Sequence, residues 1–181
     1  MALLLVLTGG TPALATDATP VTYNADPSTC TVAPRSLDDL KRILAHATPA
    51  ASPARPATGE PVDPTSADGN AVISTLETLF ACLNAGDRLR AYALYTNAYL
   101  AAILHSGDLP AAATPEPNDP DELTRIVAIE LHTLNGGGII AKVTLDPALI
   151  PVDKIFEFIL VPVDGKWKID AVINEIDFSL P

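Results

Sequence analysis

The stretch from Leu76 to Leu104, LETLFACLNAGDRLRAYALYTNAYLAAIL, constrains the fold more than any other part of the chain. Its apolar residues recur at helical spacing on both sides of Asn84-Ala85-Gly86-Asp87, and a Gly-Asp pair can end one helix and cap the next. The pattern predicts two apolar helices joined by a hinge, with one of the two cysteines inside the first. Asp68 is the expected cap of the first helix, which carries Val72, Ile73, Leu76, Leu79, Phe80 and Leu83 and stops at Gly86. Asp87 caps the second. That helix carries Leu89, Tyr92, Ala93 and Tyr95 and, after a break near Thr96-Asn97, Tyr99, Leu100, Ile103 and Leu104, ending at His105-Ser106-Gly107.

Apolar helices of this kind need a partner layer, and the rest of the chain supplies one. After a Pro- and Ala-rich loop from Asp108 to Pro120, Leu123 to Thr133 and Ile139 to Asp146 pair as a hairpin around Asn135-Gly136-Gly137-Gly138. Pro147 to Val152 is a connection. Lys154 to Val163 and Lys166 to Asp177 make a second hairpin around Asp164-Gly165. Ile155, Glu157 and Ile159 alternate with Phe156, Phe158 and Leu160, so this strand is apolar on both faces near its centre and belongs inside the sheet. The expectation is an α+β fold, with about four antiparallel strands and helices packed on one face.

The N-terminal third is different. Met1 to Ala15, MALLLVLTGGTPALA, has a short apolar run, a Gly-Gly-Thr-Pro break and a small-x-small site, the pattern of an export signal without its basic start. It is too short to span a bilayer, and Cys30 follows Asp-Pro-Ser-Thr rather than a small apolar lipobox, so no stable membrane anchor is expected. An exported, extracytoplasmic chain with two cysteines suits a bond between Cys30 and Cys82. They stand 52 positions apart, and closing that loop is worth roughly 4 kcal/mol in the chain-entropy model. The alternative is a buried apolar Cys82 and a free Cys30 thiol. Thr16 to Pro34 reads as an extended arm. Ser36 caps a short helix whose stripe is Leu37, Leu40, Ile43 and Leu44, and which runs to about His46. Thr48 to Ser66, with five prolines, reads as a surface linker. The domain boundaries are therefore 1–15 for the signal, 16–67 for arm, short helix and linker, and 68–181 for the folded unit.

The formal charge of −11 excludes one broad class of partner. Nucleic-acid binding draws on clustered Lys and Arg, and 11 basic residues face 22 acidic ones.

The order of short helix, long helix, hinge, Tyr-rich helix and paired hairpins resembles the NTF2-like superfamily, which includes SnoaL-like and ketosteroid-isomerase-like domains. The resemblance covers roughly Asp68 to Phe178. It rests on Cys82-Leu83-Asn84-Ala85-Gly86-Asp87, on Tyr92 to Leu100, and on Asp164-Gly165-Lys166-Trp167-Lys168-Ile169-Asp170. It implies a strongly curved sheet wrapped on a long helix as a cone, with a pocket at the open end. Members include isomerases, cyclases, dehydratases, transport adaptors and extracellular domains with no known reaction, and homodimers through the open sheet face are common among them.

Candidate chemistry is sparse. Aromatic residues make up only 5% of the chain, which makes Tyr92, Tyr95, Tyr99 and Trp167 conspicuous as ligand-contacting residues. A tyrosine stripe at helical spacing is more commonly core with hydroxyls at its rim, and Trp167 also suits a packing role. Glu130 and His132 share a strand face, as do Asp170 and Asn174 if no bulge intervenes; alternation with Val127, Ile129 and Leu131 marks the first pair as a solvent face. His46, His105 and His132 lack metal-ligand spacing. Gly136 to Gly138 is a hairpin turn rather than a phosphate loop, and Gly-x-Ser-x-Gly is absent. No catalytic set, metal or cofactor is expected. The leading expectation is a non-catalytic module binding an apolar small molecule or another protein; the alternative is a small isomerase or cyclase acting on a polyketide-like or steroid-like substrate.

Overall fold

The computed structural model describes residues 22–46, 57–104, 109, 114–146 and 154–174. The expected export signal, the start of the arm, the first half of the Pro-rich linker, His105-Ser106-Gly107, the connection 147–152 and the end of the last expected strand lie outside the described residues. Among these residues four α-helices, α1 (Leu37–Ala45), α2 (Ala67–Asn84), α3 (Arg88–Tyr92) and α4 (Asn97–Ile103), accompany five strands. These are β1 (Thr58–Pro61), β2 (Arg125–Leu134), β3 (Ile139–Asp146), β4 (Lys154–Val163) and β5 (Lys166–Asn174). The strands are antiparallel in the order β1-β2-β3-β4-β5, so the fold is α+β. Among the described residues no helix is long and apolar enough to cross a membrane.

The strand count corrects the expected four. β1 lies in the Pro-rich segment read as linker, and all four of its residues are exposed. A strand with no apolar alternation leaves no periodic signal. What holds it is close backbone approach: a Cβ on Gly59 would lie 2.5 Å from the Thr133 hydroxyl oxygen. Val62 N–H, just beyond, donates to Leu131 O at 2.9 Å.

Each helix start follows from a side-chain oxygen meeting an orphan N–H. Ser36 accepts from Asp39 N–H, and Asp38 and Asp39 sit in the first turn of α1, where the helix dipole favours them. For α2 the cap is Ser66, not Asp68 as expected. Ser66 is extended and accepts from Gly69 N–H at 3.0 Å, because its hydroxyl is itself oriented by Asp63 O at 2.7 Å. Asp68 instead occupies the first turn, where its charge suits the dipole. The hinge is as expected: Gly86 at φ +65 lets Asp87 N–H reach Cys82 O and Gly86 N–H reach Leu83 O, and the Asp87 carboxylate caps α3 through Arg90 N–H.

Gly86 is required twice over. Its left-handed backbone disfavours a side chain, and a Cβ there would sit 1.8 Å from Glu116 O. We expect Gly86→Ala to destabilise the protein by about 1–3 kcal/mol and to displace the 114–118 segment. Chemical denaturation, with proteolysis inside 114–118 as a second readout, checks this; an unchanged midpoint would contradict it.

α2 lies against one face of the sheet. Val72, Leu76, Leu79 and Phe80 pack on Leu131, Ala141, Val143, Phe158, Leu160 and Ile169, with Phe80 edge-on to Phe158 at 5.9 Å. A second, smaller cluster joins α1 to α3 and α4 through Leu40, Leu89, Leu100 and Leu104. On the opposite sheet face Ile140, Ile159 and Ala171 are also buried, which makes β4 the interior strand its sequence implied. Leu83, expected in the buried stripe of α2, is 39% exposed, while Ala81 and Cys82 are buried in its place.

The Cys30–Cys82 disulfide is present. It pins the arm to α2, where Tyr23, Ala25, Cys30 and Val32 pack against the main core.

Candidate functional site

The Tyr-rich segment breaks before Asn97, as its sequence suggested, into α3 and α4, and the reason lies 74 residues downstream. Between α3 and α4 the backbone leaves helical pairing and joins the edge of β5: Ile169 N–H donates to Leu94 O and Thr96 N–H donates to Ile169 O, both at 2.9 Å. The Lys168 ammonium donates to Ala93 O. Thr96 then caps α4, accepting from Tyr99 N–H at 3.1 Å while its hydroxyl donates to the Asp170 carboxylate at 2.7 Å. From the other side Arg35 Nε and Nη2 donate to Tyr92 O and Tyr95 O at 2.9 and 3.0 Å, and Nη1 pairs with Asp39 at 3.0 Å.

This stitching brings the three tyrosines together even though they do not share one helix. Ring centroids are 6.4 Å apart for Tyr92 and Tyr95 and 5.4 Å for Tyr95 and Tyr99. Tyr95 contacts both apolar clusters. Burial, with Tyr99 and Tyr92 nearby, pushes the Tyr95 phenol well above its ordinary range. Burial also raises Tyr99, and a hydrogen bond from Val172 N–H partly offsets it. Trp167 is half-buried against the main core at the start of β5, level with Pro162 of β4.

The titrations give a signed expectation. A phenol that ionises less readily when folded adds stability that is intact below about pH 10 and is lost as pH rises from there towards the folded value. For Tyr95 the loss is about 1.4 kcal/mol per pH unit across that window. Burial, then Arg35 and Lys166, lowers the Lys168 pKa, so its contribution has the opposite sign: stability rises with pH from the lowered folded value up to about pH 10.4. Ultraviolet difference titration should show Tyr95 ionising well above the ordinary phenol range, with Tyr99 displaced the same way; ionisation of both near pH 10 would contradict the placement.

The other sequence candidates are dispersed. Glu130 and His132 stand on the sheet face away from α2, at the registers of Lys142 and Ile140. Val127, expected to alternate with them as a core residue, is 52% exposed because a bulge between Ile126 and Ala128 resets the alternation. A second irregularity places Ile169 opposite Leu160 and Ala171 opposite Ile159, which leaves Asp170 as the extra residue. A bulge therefore does intervene between Asp170 and Asn174, and Asp170 turns to Thr96 at the strand edge. Glu157 was not singled out from sequence; it is 4% exposed in β4, and its signal is a lone acid inside Ile155-Phe156-Glu157-Phe158-Ile159-Leu160.

Two clefts flank the end of α2. One of about 670 Å³ is lined by Leu83, Gly86 to Leu89, residues 114–119 and Glu122. The other, about 430 Å³, lies between residues 22–27 of the arm and residues 123–126, with Asn84 at its wall. Tyr92, Tyr95, Tyr99 and Trp167 line neither. Among the described residues no three His, Cys, Asp or Glu side chains come together as metal ligands. No protein-family model matches the chain, and no curated protein matches it in sequence.

Proposed function

We propose that the chain is an exported NTF2-like domain acting as a non-catalytic binding or interaction module, with the aromatic group of Tyr92, Tyr95, Tyr99 and Trp167 as its contact for an apolar small molecule. The observation that carries this reading is the face of the sheet turned to α2. Its packed residues, among them Leu131, Ala141, Val143, Phe158, Leu160 and Ile169, are all apolar. An isomerase or cyclase of this shape needs a carboxylate or imidazole facing the interior with a donor opposite, and Glu157, the one charged side chain buried among the described residues, stands on the sheet face away from α2. Helices on one face of an antiparallel sheet support the NTF2-like reading, and the cone shape is part of the proposal. The disulfide supports an oxidising compartment and hence export.

The chain's single tryptophan is a reporter already in place. Titration with a steroid-like or polyketide-like ligand should give a saturable change in Trp167 emission that Tyr99→Ala weakens. Emission that stays flat across the panel would remove the aromatic group from the proposal. Turnover of any such ligand would favour the isomerase or cyclase reading. A homodimer through the sheet belongs to the same reading, and sedimentation at two concentrations tests it.

A further inference from the structure

We propose that Asn135 is a site of spontaneous covalent modification, at which the side-chain amide is lost as ammonia and aspartyl and isoaspartyl forms result. The inference is independent of the ligand-binding reading. Ring closure of an asparagine onto the next backbone nitrogen needs an accessible amide, an unobstructed nitrogen and a backbone free to swing into the closing geometry. Asn135 meets all three conditions. It is exposed at the tip of the β2–β3 turn, and Gly136 follows it. Gly136 and Gly137 hold φ of 110 and 92, and a Cβ at either would meet nothing within 4 Å. The bonds closing the turn run from Leu134 N–H to Gly138 O at 2.8 Å and from Gly137 N–H to Leu134 O at 3.2 Å, and neither uses the Gly136 N–H.

The chemistry needs only water and a solvent base. The base takes the Gly136 N–H proton, the nitrogen attacks Cγ of Asn135, and the Cγ–Nδ2 bond breaks as ammonia leaves with a solvent proton. Adjacency makes the step intramolecular, with a correspondingly high effective concentration. Water then opens the cyclic imide at either carbonyl, so one water is consumed and one ammonia released for each event. The product carries one more negative charge. The isoaspartyl form also adds a methylene to the main chain in the turn that sets Thr133 opposite Ile139.

Asn84-Ala85 is an internal control. Asn84 is 1% exposed, and its amide donates to Ala25 O and Thr124 O and accepts from Thr124 N–H, so it can neither rotate nor meet solvent.

The folded full-length protein is held in mildly alkaline buffer beside a free peptide of residues 126–142, then digested with trypsin. Ile126–Lys142 contains Asn135 as its single asparagine. The expected result is loss of the amide form of this peptide to two acid forms, with the Asn84 peptide unchanged and conversion lost in Asn135→Gln. If the free peptide converts while Ile126–Lys142 from the folded protein keeps its amide, the turn is held closed and the proposal is overturned. Conversion of Asn84 at the same rate would also overturn it, because reaction would then track unfolding rather than the exposed turn.

Discussion

Replacement of Asn84 by leucine is expected to lower the unfolding free energy by about 4 kcal/mol, more than its size would suggest. Its side chain ties three separate segments together: Nδ2 donates to Ala25 O in the arm and to Thr124 O before β2, both at 2.9 Å, and Oδ1 accepts from Thr124 N–H at 3.0 Å. Its own backbone carbonyl receives Asn118 N–H. Leucine fills a similar volume but leaves two carbonyls and one N–H without this partner, and each stranded buried group costs about 1–3 kcal/mol. Relief by water entering the neighbouring cleft keeps the total below the upper sum. Asn84→Asp should also be destabilising, since a carboxylate would face two carbonyls. Urea unfolding of both variants decides; a loss under about 1 kcal/mol for the leucine variant would mean that the three bonds contribute no more than one ordinary hydrogen bond.

The paired substitution Cys30→Ala with Cys82→Ala is expected to cost a similar amount, about 4 kcal/mol for a closed loop of this length. Most of that arises in the unfolded chain. In the folded protein the arm has other attachments: Asn24 N–H to the Glu77 carboxylate at 2.7 Å, Arg90 to Cys30 O at 3.1 Å, and Arg35 to the α3–α4 link. The variant should therefore keep its native spectrum and a protease-resistant arm in dilute buffer while unfolding at lower guanidinium. The parent protein measured under reductant should converge on the variant. A variant whose arm is cleaved at once would show that the disulfide alone holds it.

These two predictions concern features of different legibility. The disulfide was readable because cysteines are rare and the compartment was implied by the apolar start. Asn84 was readable only as a hinge residue, since nothing local announces partners in residues 25 and 124. The same contrast holds for the site. Tyr92, Tyr95 and Tyr99 were visible as a stripe, but their contact through two broken helices depends on Ile169 and Asp170, which lie far along the chain.

The sequence by itself determined the α+β class, both hairpins with their glycine turns, the Gly86-Asp87 hinge and the interior character of β4, because each depends on local periodicity or on a backbone angle that glycine alone adopts easily. The tertiary structure decided the rest. β1 exists because its backbone meets β2 without an apolar face. The cap of α2 moves to Ser66 because Asp63 orients its hydroxyl. Two bulges reset which side chains share a face, and the edge of β5 takes up the backbone between α3 and α4, where the sequence marked only a break. Each of these depends on hydrogen bonds between groups distant in sequence or on turn geometry, and hydrophobic patterning carries no record of either.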